Sequence, residues 1–294
     1  MTGTLATLGS ADKAQLTQKD TGAGLRHLAG HLGAILVTAS YIAVQGPLWG
    51  LMLLPHGVLL VFLFTLSHEC THATPFRQRW LNDAVGHGIA PVLALPFTWF
   101  RYFHLAHHKH TNDPDHDPEL AGGGRPDTWG RYLRYLSGWA YWSGNLMTLW
   151  RNAQGRIDAP YLPKARHRAM RREARVILSL YALAALGLIW SPLILWLWLV
   201  PVLLGQPVLR LYLLAEHGHC PPVADMLENS RTTLTVRAVR WLAWNMPFHA
   251  EHHAFPAVPF HQLPALHAHL APHLKSVSDG YVRFTADYAR GLER

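Results

Sequence analysis

The sequence predicts an all-α membrane protein in which four transmembrane helices form two hairpins and carry a cytoplasmic helical cap. Two apolar stretches, residues 28–67 and 176–215, dominate the 294-residue chain. Half of the residues are hydrophobic and only 15% are charged, compared with about 25% in soluble domains. Turn-forming residues interrupt both stretches near their midpoints, which is typical of helical hairpins.

Each apolar stretch has the length of two membrane passes. A bilayer core about 30 Å thick needs about 20 helical residues, and the two stretches break at the sequences QGP and WSP. The predicted passes are residues 28–45, 48–67, 176–190 and 193–215. Gln206 and Arg210 interrupt the last pass, so a buried helix of a soluble protein is the alternative for either half of a stretch.

The remaining residues form a tail and a cap. Residues 1–27 are polar and rich in Thr, Gly and Ala, and they predict a loosely ordered tail ahead of a single domain, 28–294. The cap comprises residues 68–175 and 216–294. No internal repeat indicates a solenoid.

Two segments of the cap have their own membrane signal. Residues 84–100 are mostly apolar but contain two glycines and two prolines, which favours a re-entrant or interfacial segment over a crossing. Residues 139–150 are rich in Trp and Tyr, which is typical of an interfacial helix. With four passes and no crossing at 84–100, the segments that follow the second and fourth passes lie on the same side of the membrane.

Charge predicts which side that is. Arginines and a lysine cluster in the loop 151–175, whereas the hairpin turns carry no charge. The positive-inside rule therefore places this loop, the cap and both termini in the cytoplasm, with the protein integral to the membrane, the inner membrane in a bacterium. The net charge of +8 is explained by such loops and by contact with membrane lipids. No motif accompanies it that would indicate a nucleic-acid partner.

Three histidine clusters follow the apolar segments. Their sequences are HECTH, HLAHH and HAEHH, with spacings of i, i+4 or i, i+3, i+4. On a helix such positions share a face, so each cluster directs its imidazoles to one place. Eight ligands are too many for one tetrahedral ion and suit two metals. The histidines are His68, His72, His104, His107, His108, His249, His252 and His253.

These clusters resemble the histidine boxes of the membrane fatty acid desaturase and hydroxylase superfamily. That family has an HxxxH box, an HxxHH box and a second HxxHH box after the last pass, and the resemblance covers residues 28–270. It implies a non-haem diiron site, with two Fe ions bound to the box histidines. It also implies a ninth ligand just after the last pass, where His217 follows Glu216 as in the family and is favoured over His219.

Acidic and amide side chains near the boxes are predicted to support the ligands rather than to bind metal. Glu69 and Glu251 lie one and two residues into their boxes, and we expect them, with Glu216, to orient imidazole N–H groups. Asp113 and Asp117, in the string TNDPDHDPE, resemble an acidic extension of the family's second box, with a polar turn as the alternative. Asn245 is predicted to hydrogen-bond a metal-bound water or to act as a weak ligand, with helix capping as the alternative.

The resemblance implies an enzyme that uses O2 and two electrons to desaturate a lipid acyl chain. Hydroxylation of an alkyl, lipid or small-molecule substrate, or ketolation, is the alternative, because the ligands are similar for all of these outcomes. The chain has no CxxC pair and no GxGxxG motif, so a separate electron carrier of the ferredoxin, rubredoxin or cytochrome b5 type, with its reductase, is implied. The basic segments 151–175 and 231–240 are candidates to dock it, although anionic lipid is favoured.

Other functions remain open from the residues alone. HECTH is also an HExxH motif, which is typical of zinc peptidases with Glu69 as the general base, but a peptidase leaves the two HxxHH boxes unexplained. A metal transporter would place histidines or acids within the passes, whereas these lie at pass ends. Cys70 and Cys220 are interpreted as small buried fillers rather than ligands.

Overall fold

The computed structural model describes residues 9–293, which are mostly helical. The helices of the first half are α1 (Ser10–Leu16), α2 (Thr21–Ala43), α3 (Leu53–Val61), α4 (Leu63–His72), α5 (Arg79–Leu93), α6 (Phe97–His110), α7 (Trp129–Leu136) and α8 (Trp139–Ala153). Those of the second half are α9 (His167–Gly187), α10 (Val200–His217), α11 (Met226–Asn229), α12 (Arg237–Leu242), α13 (His249–Ala254), α14 (Leu263–Leu270) and α15 (Tyr281–Arg290).

Two short strands, β1 (Thr232–Leu234) and β2 (Val277–Asp279), depart from the predicted all-α class. They pair in parallel, with Thr232 opposite Val277. The pairing brings the segment after α11 against the segment before α15, and three residues per strand are too few to give a periodic signal in the sequence.

The predicted tail differs from the structure wherever the structure describes it. Residues 1–8 lie outside the described residues, but α1 is helical and α2 begins at Thr21. The Thr21 hydroxyl donates to Gln78 Oε1 over 2.8 Å, and Leu16 is buried in the core. Asp20 caps α2 by accepting a hydrogen bond from the Gly22 backbone N–H, a capping signal that ends a polar segment and begins a helix. The polar composition therefore marks helix ends and an exposed helix face rather than disorder.

Helices occupy all four predicted passes, with turns at the predicted interruptions. The first and third helices, α2 and α9, begin seven and nine residues before their predicted passes. Two stretches are long and apolar enough to cross a membrane, Trp49–His72 with mean hydropathy 2.0 and Leu195–His217 with mean hydropathy 1.6. A short 3₁₀ turn precedes α3 in the first stretch, and a π-helical turn precedes α10 in the second.

These two apolar stretches cross at a pair of glycines. A Cβ on Gly57 would overlap the carbonyl oxygen of Pro201, and a Cβ on Gly205 would lie 2.5 Å from the Gly57 carbonyl oxygen. Small residues allow such backbone contact between apolar helices. From the crossing, His68 is 11 residues further along one helix and His217 is 12 residues along the other. At about 1.5 Å per residue both histidines lie about 17–18 Å from the crossing along their helices. The glycine contact therefore places the two histidines at the same height along the helix pair.

The segment 84–100 is not a single helix. It consists of the end of α5, a turn around Ala94, which has a left-handed φ of 53°, and the start of α6. Leu93 and Phe97 on either side of the turn are buried in the core. The segment therefore reverses direction between α4 and α6 and positions the second histidine cluster beside the first.

Apolar side chains are exposed along several helices. On α2, Leu36 and Val37 are 65% and 71% exposed, and on α9, Leu183 is 63% exposed. Helix α8 exposes Trp139 and Trp150. Contiguous exposed apolar surface of this kind marks a site of contact with a partner or a membrane.

Candidate metal centre

The ends of four helices bring the nine predicted histidines together. The first cluster lies at the end of α4, the second in the last two turns of α6, the third on α13, and His217 is the last residue of α10. His72 and His108 are half-buried and the others are buried. Helix α4 ends after its cluster because Ala73 adopts a left-handed conformation, and α13 follows two left-handed residues, Trp244 and Asn245.

Five of the histidines form one group. The ligand atoms of His68, His72, His104, His108 and His252 all lie within 4.8 Å of one another. The Nε2 atoms of His72 and His104 are 2.8 Å apart.

The other four histidines form an adjacent group. The ligand atoms of His107, His217 and His253 also lie within 4.8 Å of one another. The Nε2 atom of His217 is 3.2 Å from that of His107 and 3.0 Å from that of His249. The rings of His108 and His253 stack in parallel with centroids 4.0 Å apart, so the two groups share a boundary.

The nitrogen separations fit ligands that share a metal ion. A metal–nitrogen bond of about 2.1 Å and an angle of about 90° between two bonds place the nitrogens about 3.0 Å apart. The three short nitrogen–nitrogen distances, 2.8, 3.2 and 3.0 Å, are close to this value. Two neutral imidazoles at such a distance can also share a hydrogen bond. A single hydrogen bond, however, pairs only two ring nitrogens and leaves the other nitrogens of the group without a partner.

Several buried ring nitrogens need a partner that the described residues do not supply. Neither ring nitrogen of His68, His108 or His252 makes a hydrogen bond to the described part of the chain, nor does Nε2 of His253. Buried polar atoms without partners are costly, so their concentration at one place points to a missing ligand. Imidazole nitrogens suit iron, zinc and copper, and the residues present therefore fit a pair of such ions.

In the second group, hydrogen bonds at Nδ1 determine which nitrogen faces the centre. His107 Nδ1 donates to the Asp117 carboxylate over 2.9 and 3.0 Å. His217 Nδ1 donates to the Asn229 backbone carbonyl over 3.2 Å. In both residues the Nε2 lone pair is left to face the centre, as in metal sites whose ligating imidazoles are oriented by a second partner.

A threonine orients the third imidazole of this group. The Thr111 hydroxyl donates to the His107 carbonyl over 2.8 Å and lies 3.1 Å from His253 Nδ1. Since its proton is used by the carbonyl, the hydroxyl oxygen accepts from His253 Nδ1–H. Thr111 thus joins the second and third histidine clusters.

Burial keeps the imidazoles neutral. Six of the nine lie outside the two long apolar stretches, and burial lowers the pKa of five of these six well below the usual range, with neighbouring histidines contributing in the same direction. The five are His104, His108, His249, His252 and His253. His107 is the exception, because Glu119 and Asp117 outweigh burial and raise its pKa. Neutral imidazole is the form that binds metal.

Two of the predicted supporting carboxylates lie beside the histidines. Glu69 Oε1 is 3.6 Å from His252 Nδ1, and Glu216 Oε1 is 3.4 Å from His249 Nδ1. Glu69 also accepts hydrogen bonds at Oε2 from the Thr74 hydroxyl and the Phe260 backbone N–H, each over 3.0 Å. These two carboxylates and Asp117 are therefore near the atoms that we expected them to orient.

Three other predicted supporting residues contact different groups. Asp113 pairs with His116 over 2.8 Å on an exposed turn, because the turn that points Asp117 inward points Asp113 outward. Glu251 accepts hydrogen bonds from His267 and Thr232 on the far side of α13. Asn245 donates to the Phe260 carbonyl over 3.0 Å, in keeping with its left-handed backbone and a role in the turn.

Sequence reasoning missed Thr111 and Asn229. Thr111 is the first residue of the string TNDPDHDPE, in which only the acidic residues were predicted to support the ligands. Asn229 acts through its backbone carbonyl. Because every residue has one, the residue type at this position does not predict the contact. The structure also separates the two histidines near the end of α10, because His219 stacks on Tyr288 with centroids 4.2 Å apart while His217 joins the second group.

A cavity of about 410 Å³ opens onto both groups of histidines. His68, His104, His107, His217 and His249 form part of its wall. Aromatic residues including Phe64, Trp99, Phe100 and Phe103 form the apolar part. Cavities of this size, mostly apolar with a few polar groups, are typical of small-molecule sites.

Comparison with known proteins identifies relatives. Residues 44–285 match the family described as fatty acid desaturase. An sn-1 oleoyl-lipid 12-desaturase of Anabaena variabilis is 43% identical over 61 residues, which are 21% of this chain and 17% of the relative. An sn-1 acyl-lipid omega-3 desaturase (ferredoxin) of Nostoc sp. is 33% identical over 88 residues, or 29% of this chain and 24% of the relative.

A plant enzyme shows a similar local match. The fatty acid conjugase FAC2 A of Calendula officinalis is 36% identical over 69 residues, 24% of this chain and 18% of the relative. The matched segments thus span less than a quarter of the length of each of these relatives. The family match covers most of the present chain, including all three histidine clusters. The chain therefore belongs to the fatty acid desaturase family and is an oxidoreductase.

Proposed function

We propose that this protein is an integral membrane enzyme that holds two iron ions and uses O2 and two electrons to introduce a double bond into a lipid acyl chain. The observation that carries the proposal is the pair of adjacent histidine groups, which open together onto one largely aromatic cavity. The names of the relatives, which include lipid desaturases and a fatty acid conjugase, support desaturation.

The division into two groups supports a proposal in which each group binds one ion. His68, His72, His104, His108 and His252 would hold one iron, and His107, His217, His249 and His253 would hold the other. When bound, the iron pair would allow O2 to act as the oxidant of an unactivated C–H bond. A donor set of neutral imidazoles leaves the charge of the ions largely uncompensated, unlike the carboxylate-rich sites of soluble diiron bundles.

The chain's own residues orient the site and exclude water. Asp117, Thr111 and the Asn229 carbonyl hold three imidazoles with Nε2 toward the centre. The rings of Phe64 and Phe100 pack 5.4 Å apart in the cavity wall, and this apolar wall suits an alkyl segment. Exclusion of water protects the reacting carbon from competing reactions.

The membrane arrangement that we propose retains four passes, built on α2, the stretch Trp49–His72, α9 and the stretch Leu195–His217, with the cap and termini in the cytoplasm. The exposed apolar faces of α2 and α9 support it, and the basic loop 151–175 supports the orientation. The exposed tryptophans of α8 support an interfacial position for that helix.

Electrons would come from a separate carrier with its own reductase. The name of one relative, an sn-1 acyl-lipid omega-3 desaturase, includes the word ferredoxin. At the start of α9, Arg168, Arg171, Arg172 and Arg175 line one groove, which offers positive charge to anionic lipid headgroups or to an acidic carrier.

A zinc peptidase is disfavoured by the position of Glu69. A general base must reach the substrate directly or through one water. Glu69 is fully buried, accepts hydrogen bonds from Thr74 and Phe260, and is absent from the described cavity wall. Its contacts support a role in packing and in placing His252.

Expression in a host that lacks the protein, followed by mass spectrometry of its lipids and iron analysis of the purified enzyme, tests the proposal. We expect new unsaturation and two irons per chain. His104→Ala should abolish the product and lower the iron content, whereas His269→Ala, on an exposed residue outside both groups, should change neither. A new hydroxyl group in place of a double bond would establish the hydroxylase alternative, and one zinc with no lipid product would overturn the proposal.

A further inference from the structure

The cavity beside the histidines contains an arginine without a counter-ion. Arg210 lies on α10, seven residues before His217, so both side chains lie on one face of the helix about 10.5 Å apart along its axis. Arg210 forms part of the cavity wall, as do Glu119 and Glu216. Among the described residues those two carboxylates pair with His107 and His249, and no carboxylate lies within 4.0 Å of the Arg210 guanidinium. Its Nε atom is buried and has no hydrogen-bond partner in the described part of the chain.

Aromatic rings hold the guanidinium in place. The Arg210 Cζ atom lies 4.7 Å from the ring centre of Tyr141 and 5.6 Å from that of Tyr135. Tyr141 is itself fixed, because its hydroxyl donates to the Leu93 carbonyl over 2.9 Å. Such cation–π contacts orient a guanidinium but leave its N–H donors unused.

No hydrogen bond from Arg210 to the described residues uses those donors. Glu216, the nearest carboxylate on the same helix, faces His249 at 3.4 Å. Asn145 also lines the cavity, and its amide nitrogen makes no hydrogen bond to the described residues. An ionised group within a membrane-spanning segment is costly unless it is paired, and it marks a functional site with a missing partner.

We propose that Arg210 binds an anionic oxygen group of the substrate, a carboxylate or a phosphate, while the alkyl part of the same molecule lies against the aromatic wall near the histidines. The inference rests on the proposed function and names the class of substrate, an amphiphile with an anionic group. A planar guanidinium pairs with carboxylate or phosphate through two parallel hydrogen bonds. Because Arg210 is on the helix that ends in His217, the anion is held at a fixed distance from the metal centre and selects the carbon that reacts.

Binding measured without turnover tests this proposal. Dibromostearate quenches nearby tryptophans, and Trp99 is in the cavity wall. The titration uses the full-length protein as purified in detergent, with its iron content measured separately and without oxygen or reductant. We expect the acid to bind more tightly than its uncharged methyl ester. Arg210→Met should weaken binding of the acid by about 30-fold or more and leave the ester unchanged, and Arg210→Lys should fall between. Arg134→Met, on an exposed arginine of α7, is the matched control.

The results of this titration identify the source of the anionic group or overturn the inference. Displacement of the probe by a lysophosphatidate, with the same dependence on Arg210, assigns the anion to a lipid headgroup, and displacement by oleate alone assigns it to a free fatty acid. Equal binding of acid and ester by the wild-type protein, or unchanged binding in a folded Arg210→Met variant, overturns the inference. Melting curves of the variants report folding. If the acid binds through Arg210 but the enzyme binds no iron and forms no product, the proposed function fails and the anion site stands.

Discussion

Replacing Asp117 with asparagine tests whether the second histidine group holds a metal through an oriented His107. The carboxylate of Asp117 accepts from His107 Nδ1 at 2.9 and 3.0 Å, from the Asn112 backbone N–H at 2.8 Å and from the Glu119 backbone N–H at 2.9 Å. An asparagine side chain has one acceptor oxygen and no charge, so at least one of these donors loses its partner and His107 loses the charge-assisted bond.

The expected effect follows from those contacts. A hydrogen bond to a charged group contributes about 1.5–3 kcal/mol, which agrees with the roughly 10–100-fold loss of metal affinity found when partners of ligating histidines are removed. We expect Asp117→Asn to lose one iron per chain at about 10–100-fold lower chelator concentration than the wild type. The first histidine group should retain its iron, because its imidazoles do not contact Asp117.

The assay is metal analysis after dialysis against graded chelator, with melting curves to monitor folding. Asp113→Asn is the matched control, because Asp113 lies in the same loop but pairs with the exposed His116. We expect this control to retain both irons as the wild type does. Equal chelator resistance of Asp117→Asn and the wild type would refute the role of Asp117, and equal loss in both variants would assign the effect to the loop as a whole.

Three further substitutions test other parts of the structure. Gly57→Ala should lower the unfolding free energy by about 1–3 kcal/mol or prevent folding, because the new Cβ overlaps the backbone of α10, whereas Gly50→Ala, which has open space around it, should leave the melting temperature unchanged. Thr111→Val should weaken retention of one iron while Thr111→Ser preserves it, since only serine keeps the hydroxyl; equal chelator resistance in both variants would contradict this. His217→Ala should lose one iron per chain and His219→Ala none, as measured by metal analysis, and the reverse order would assign the ninth ligand to His219.

Much of the candidate site could be predicted from residue spacing. The i, i+3 and i+4 intervals within each cluster determine which imidazoles share a helix face, and the predicted histidines lie together in the structure. The helices of the two predicted hairpins were similarly evident from the length of the apolar stretches and their interrupting turns. The predicted tail extends seven residues too far into α2, because the capping signal at Asp20 lies in a segment of polar composition.

The supporting contacts were less predictable. Asp113 and Asp117 occur in one acidic string, and only the course of the turn after α6 directs one of them to His107 and the other to His116. Glu251 lies inside the third cluster in sequence, yet on α13 it faces His267. Residue type and proximity along the chain do not specify which side of a short helix or turn faces the centre.

The sequence by itself determined the helical class, the grouping of histidines on helix faces and a set of donor atoms able to bind metal, because these depend on local periodicity and on residue type. Only the tertiary structure decided how the histidines divide into two groups, which partners orient them and that Arg210 faces the same cavity. Those properties depend on contacts between helices far apart in the chain, such as the backbone contact of Gly57 with α10. That contact sets the level at which the ends of α4 and α10 meet, and no local pattern encodes it.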